Sequence, residues 1–138
     1  MKKSVIILIG LIYVASIVLV SYLGLKAKSY NDITYAESLV IENDYEVGIN
    51  GKEITVKANA DGTATFQFIC KVLPENAKNT KIIYTVDDFV KNHVTISESG
   101  LLTADDIIVG LDDYDFKVYI ASDENPSIRD SVWIRFEK

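Results

Sequence analysis

The stretch from Val5 to Leu25 limits most strongly what this chain can form, because its 21 residues include no charged side chain. An α-helix rises about 1.5 Å per residue, so this segment would be about 31 Å long, close to the roughly 30 Å hydrocarbon core of a bilayer. The sequence therefore predicts a transmembrane helix over residues 5–25, behind a short leader at residues 1–4. Everything after this helix is expected to lie on one side of the membrane.

Two kinds of N-terminal segment fit this apolar stretch: a signal anchor that stays in the membrane and a signal peptide that is removed. Signal peptides usually have about 7–15 apolar residues and a cleavage site with small residues two positions apart. The stretch here is longer, and Leu25-Lys26-Ala27 lacks the first small residue. A signal anchor is therefore favoured. The short basic leader favours a single-pass topology with a cytoplasmic N-terminus and an extracytoplasmic domain.

The part of the chain that follows the helix is acidic. Four of the 14 basic residues flank the helix and all 20 acidic residues come after it, so residues 30–138 hold 20 acidic against 10 basic side chains, a formal charge of −10. Nucleic acids and anionic lipid surfaces bind through basic patches that replace their counterions. The sequence therefore predicts no nucleic-acid partner.

The residue types needed for catalysis are sparse. His93 is the only histidine and Cys70 the only cysteine, and no nucleophile motif surrounds either of them. Acid–base and nucleophilic catalysis need a base beside a nucleophile, and a zinc site needs three or four His, Cys or carboxylate ligands. We therefore expect a protein that is not an enzyme, with no small-molecule substrate, and a Cys70 that packs as a small apolar residue.

Beyond a polar tether at residues 26–35, apolar side chains alternate with polar ones at a period of two, which is typical of β-strands. Gly, Pro, Asn and Asp separate the alternating segments. Residues 36–138 are therefore predicted to form one all-β domain, an antiparallel β-sandwich of seven to eight strands. The predicted strands are 38–42, 53–58, 63–73, 81–86, 93–97, 101–104, 114–121 and 131–137, with 53–58 and 63–73 paired through a tight turn.

A stretch of about 35 residues resembles a known family. Its parts are Val72-Leu73-Pro74, a polar loop at 75–80, the strand Lys81-Ile82-Ile83-Tyr84, and the turn and strand Ile96–Ala104. This pattern resembles the bacterial immunoglobulin-like domain of group 2, although Tyr84 stands where the family usually has Trp and residues 105–111 replace its usual Gly-Thr-Ala. The resemblance implies an immunoglobulin-like fold, a bacterial cell membrane location, and a rigid surface module for adhesion or spacing without catalytic residues.

Clustered carboxylates are the first candidate binding groups. They are Asp87, Asp88, Asp105, Asp106, Asp112, Asp113 and Asp115, all in predicted loops. Ca²⁺ prefers several oxygen ligands from flexible loops, so two clusters meeting at one end of the domain would form a weak candidate cation site. None has the ligand spacing of a known calcium loop, so solvated acidic loops that keep the domain soluble are the favoured explanation. No cofactor is otherwise predicted.

Trp133 is the best candidate for a recognition surface. It shares the outward parity of its strand with Arg135, and Tyr119 lies across a plausible hairpin. Exposed aromatic and arginine side chains are common binding anchors. The favoured function is therefore a membrane-anchored accessory or cell-adhesion protein that contacts another membrane or surface protein. One alternative is a filament or pilin-like subunit, but its processing site needs a Glu a few residues after a Gly, and residues 11–15 after Gly10 contain none. The other alternative is a calcium- or carbohydrate-binding surface module.

Overall fold

The computed structural model describes residues 3–28 and 33–138, and the chain divides into two compact units, Met1–Ile33 and Thr34–Lys138. The first two residues of the expected leader and residues 29–32 of the expected tether lie outside the described residues. Helix α1, Lys3–Lys28, forms the first unit, and its segment Lys3–Leu23 is long and apolar enough to cross a membrane. None of this apolar segment is buried, and a signal sequence near the N-terminus would have the same properties.

The second unit contains ten strands within residues 34–138, rather than the seven or eight predicted. A 3-10 turn at Asp88–Val90 and the short helix α2, Asp106–Val109, interrupt the strands, whereas the sequence predicted no helix here. The strands are β1 Ser38–Ile41, β2 Glu46–Gly48, β3 Gly51–Lys57, β4 Ala64–Gln67, β5 Cys70–Leu73, β6 Ile82–Val86, β7 Val94–Ile96, β8 Leu101–Ala104, β9 Asp115–Ser122 and β10 Arg129–Glu137.

The strands form three sheets, ordered β2-β3-β10-β9-β6, β4-β8-β7 and β1-β5. Every pair is antiparallel except β3 with β10, which run parallel, so the prediction of a wholly antiparallel domain was wrong at this pair. The predicted pairing of segment 53–58 with segment 63–73 was also wrong. The turn between these segments carries the chain to another sheet, where β4 pairs with β8.

The long strand predicted over residues 63–73 is split into β4 and β5, which belong to different sheets. Asn43 holds the chain at the break: its Nδ2 donates to the carbonyl of Gln67 at 2.9 Å, and its Oδ1 accepts from the amide of Ile69 at 2.7 Å. A side-chain amide here replaces the strand-to-strand bonds that a continuous strand would make. The change of sheet therefore leaves both backbone groups bonded.

One cluster of buried side chains draws on all three sheets, on the 3-10 turn and on α2. The largest fully buried apolar side chains come from β7, β8, β9, β10 and the 3-10 turn; they are Phe116, Leu102, Ile120, Ile134, Val90, Val94, Val118 and Val132. Cys70 is a free, half-buried thiol at the margin of this cluster, and burial raises its pKa. A thiol with a raised pKa is a weak nucleophile, which fits a packing role.

Candidate interaction surfaces

The outer face of the five-stranded sheet holds Trp133, which lies directly opposite Lys117 in the β9–β10 register. The indole Nε1 donates to the backbone carbonyl of Asn50 at 3.1 Å, at the tip of the β2–β3 hairpin. The Lys117 ammonium lies 5.0 Å from the Trp133 ring centroid and 5.8 Å from that of Tyr119. These distances are typical of cation–π contacts, so one lysine covers both rings.

Asp87 completes this group of contacts from the end of β6. One carboxylate oxygen accepts from the Lys117 amide at 2.9 Å, and the other accepts from the Tyr119 hydroxyl at 3.0 Å. This hydrogen bond to a carboxylate raises the pKa of Tyr119, so the phenol stays a neutral donor. Trp133 and Tyr119 are therefore held in fixed positions by neighbouring groups.

Arg135, the third predicted binding residue, lies on the same face two residues from Trp133. Its guanidinium makes a bidentate pair with Asp115, with Nε–Oδ1 at 2.9 Å and the second bond at 2.6 Å. Because more than half of the arginine side chain is exposed, this pair adds little to stability. The structure thus brings the three predicted residues onto one sheet face, where each already has a partner.

The acidic loops are spread over one end of the domain, and most of their carboxylates are individually paired. Asp88 pairs with Lys91, Asp112 with Lys138 at 2.6 Å, and Asp105 with His93. Asp106 and Asp113 are exposed. Across residues 3–28 and 33–138, no group of three metal-binding side chains comes together. The cation site considered from the sequence therefore does not form from these carboxylates in this structure.

Asp105 has a structural use that the sequence did not reveal. Its Oδ1 accepts from the Ile108 amide at 3.1 Å and so caps α2, while its Oδ2 lies 2.7 Å from His93 Nδ1. The bond to His93, followed by the bond to Ile108, lowers the pKa of the Asp105 carboxyl. This one carboxylate therefore fixes the start of α2 and ties it to the residue before β7.

We expect Asp105→Ala to lower the free energy of unfolding by about 1 kcal/mol at pH 7, the usual cost of losing a helix cap. Because the folded pKa of Asp105 is lowered, its contribution is present above the unfolded pKa of about 3.9 and is lost as pH falls through the folded value. Urea unfolding of both proteins between pH 7 and pH 3 should show the difference shrinking below about pH 4. Asp106→Ala is the matched control, and an equal loss in that variant would contradict the capping role.

Exposed apolar side chains that the sequence pattern does not predict occur at the same end. They are Phe89, Ile107 and Leu111, and the Phe89 ring packs edge-on against Tyr114 at 6.2 Å. Phe89 lies in the 3-10 turn, while Ile107 belongs to α2. Elements of three or four residues are too short to show a helical period, which explains why these positions gave no signal.

A groove of about 490 Å³ opens where the edges of two sheets approach each other. Its lining combines apolar and acidic residues from the segment before β2, from β2 and β3, and from β4. The lining residues are Asn43, Asp44, Tyr45, Glu46, Glu53, Ile54, Thr55 and Phe66. The sequence did not predict this groove, because strand alternation does not reveal which strands lie at sheet edges.

No protein-family model matches this chain, and no curated protein matches it. The assignment to bacterial immunoglobulin-like domains therefore stays a prediction from residues 72–104. Function has to be inferred from the two units and from the surfaces of the β-domain.

Proposed function

We propose that this chain is a single-pass protein of a bacterial cell membrane. Its β-domain would lie outside the cytoplasm and bind another membrane or surface protein, as an accessory or adhesive component without catalytic activity. The observation that carries the proposal is the apolar segment Lys3–Leu23: it is 21 residues long, and none of it is buried. Exposing so much apolar surface to water would be very unfavourable, so a membrane is its natural surrounding.

An immunoglobulin-like sandwich is the fold we propose for the β-domain. Its sheets share one core, and the parts that carry the family resemblance lie together: Tyr84 packs against the turn residue Gly100, where an added Cβ would be 2.9 Å from the tyrosine Cζ. Gly100 also has a φ of 82°, which favours glycine. The ring centroids of Phe68 and Tyr84 lie 5.9 Å apart, so Phe68 helps to hold the tyrosine of the motif against its turn glycine, Gly100.

A contact with a protein fits the surfaces of this domain better than a reaction does. Its only histidine is bonded to Asp105, which is itself a helix cap. The outer sheet face offers instead a half-buried tryptophan and an exposed tyrosine, both held rigid before binding. Rigid aromatic side chains lose little entropy when a partner covers them, which is why they are frequent anchors of protein interfaces.

The proposal is tested by extracting native membranes with a mild detergent and capturing the full chain through a C-terminal tag. We expect one membrane or surface protein to co-purify in stoichiometric amount. Trp133→Leu should weaken the complex about tenfold or more, the effect of losing a binding anchor. Phe89→Leu is the matched control, because it removes another exposed aromatic ring, one that packs against Tyr114 rather than on Lys117. Recovery of the chain alone would count against the accessory role.

A further inference from the structure

Strand β3 has an edge that is only partly covered. On one side it pairs with β10 as far as Lys57, but on the other side β2 covers only Gly51–Glu53. Within residues 33–138, no strand therefore pairs with residues 54–57 on that side. Strand β4 is likewise the edge of its sheet. Unpaired strand edges offer backbone donors and acceptors to an added strand, unless the protein covers them.

The groove lies along this open edge. Phe66 and Tyr45 provide apolar surface in it beside the buried Ile54, and the carboxylates of Asp44, Glu46 and Glu53 accompany them. The segment that borders the groove is held in place through the two hydrogen bonds of Asn43. An extended peptide recognised at a sheet edge gains affinity from backbone bonds and specificity from pockets for alternate side chains. The groove has both kinds of feature.

The charges of the groove are unbalanced. Glu46 and Glu53 lie directly opposite each other in the β2–β3 register, and like charges at such positions destabilise a strand pair. No lysine, arginine or histidine lines the groove itself, and none of its three carboxylates belongs to an ion pair within residues 34–138. The nearby ammonium of Lys52, 5.0 Å from the Tyr45 ring centroid, is paired with Asp130 instead. A cationic side chain supplied from outside would relieve this repulsion.

We propose that this edge binds an extended segment of a partner protein that carries lysine or arginine at alternate positions, added as a strand beside residues 54–57 of β3. The inference rests on the proposed protein-binding function and names the chemistry of the partner. Glu53 also lies beside Trp133 in the β3–β10 register, so only β3 separates the open edge from the strand that carries Trp133.

A second copy of the chain is a poorer occupant of this edge. Residues 30–138 carry a formal charge of −10, and two copies meeting at their acidic edges would repel each other. A basic partner is attracted by the same charge, which speeds encounter and disfavours acidic competitors.

The test uses the full chain in detergent micelles and an eight-residue peptide of alternating lysine and valine. We expect this peptide to slow amide hydrogen exchange in residues 54–57. The same peptide with a central proline lacks a backbone donor, and one with glutamate in place of lysine has the wrong charge, so both should bind at least about tenfold more weakly. Glu46→Lys should weaken binding of the lysine peptide similarly, whereas Glu137→Lys, an exposed glutamate outside the groove lining, should not.

Equal binding of the proline peptide, unchanged exchange in residues 54–57, or equal effects of Glu46→Lys and Glu137→Lys would overturn the inference. So would protection of this edge by self-association alone. The co-purification experiment distinguishes failure of the edge-binding inference from failure of the proposed function. If that partner stays bound to the Glu46→Lys variant, the protein contact stands and the edge is not its site. If no partner co-purifies but the lysine peptide binds as described, the accessory role fails and the edge site stands.

Discussion

Phe116→Ala is expected to lower the free energy of unfolding of the β-domain by about 3–5 kcal/mol, the usual cost of deleting a buried phenylalanine ring. Phe116 is 0% exposed in the middle of the five-stranded sheet, and its ring centroid lies 5.8 Å from that of Phe136. The substitution deletes a ring that packs out of contact with water, and it leaves a cavity. Strands β9 and β10 cannot move to fill this cavity, because both are fixed by their neighbours.

Thermal unfolding followed by circular dichroism in the β-sheet region would measure this effect. For a domain of about 100 residues, each kcal/mol shifts Tm by about 4–8 °C, so a fall of at least about 12 °C is expected. Phe89→Ala is the matched control, because Phe89 is 63% exposed and should cost under about 1 kcal/mol. Similar falls for the two variants would mean that the core is not where the structure places it.

The sequence predicted the strands and their buried faces well. Alternation placed Ile54 and Val56 on one face of β3, and both are buried. It likewise placed Val132 and Ile134 inward and Trp133 outward, and the structure confirms this arrangement. A strand's two faces depend on neighbouring residues alone, because successive side chains point to opposite sides. Local patterning therefore carries this information.

Strand partners depend on contacts far apart in the chain, and the pairings predicted from the sequence were wrong for β3. The parallel pairing of β3 with β10 joins residues about 80 positions apart, such as Glu53 and Trp133. The turn after β3 looked like a hairpin, yet it leads to another sheet. A hairpin turn and a turn into another sheet both end the strand and reverse the chain, so nothing in the local pattern distinguishes them. The open edge of β3 and its groove follow from sheet order, so they were invisible as well.

The candidate surface was predicted only in part, because its contacts also join residues that are far apart in the chain. Parity along β10 identified Trp133 and Arg135 as outward residues, but it could not reveal that Lys117 lies over the indole ring. The bond from Trp133 to Asn50 spans 83 positions. The outward position of the candidate binding residues Trp133 and Arg135 was thus predictable from one strand, whereas the groups that contact them were not.

Replacing Val14 and Ile17 together by Arg is expected to release the protein from membranes. Each arginine near the middle of a membrane helix costs about 2.5–3.5 kcal/mol on insertion scales, so the pair adds roughly 5–7 kcal/mol. Both side chains are exposed on α1. Alkaline carbonate washing of membranes, followed by immunoblotting of pellet and supernatant, would measure the release.

The matched control replaces the same two residues by Leu, which keeps the helix apolar and should leave the protein in the pellet. Release of the Leu variant, or retention of the Arg variant, would contradict a membrane-spanning role for α1. The intact mass of the pelleted protein then separates the two remaining explanations of the helix. A mass that includes residues 5–25 identifies a signal anchor, whereas a signal peptide would be missing from the mature chain. Only a signal anchor keeps the β-domain and its open strand edge covalently attached to a membrane helix. A membrane partner would then be encountered by diffusion within the plane of the bilayer.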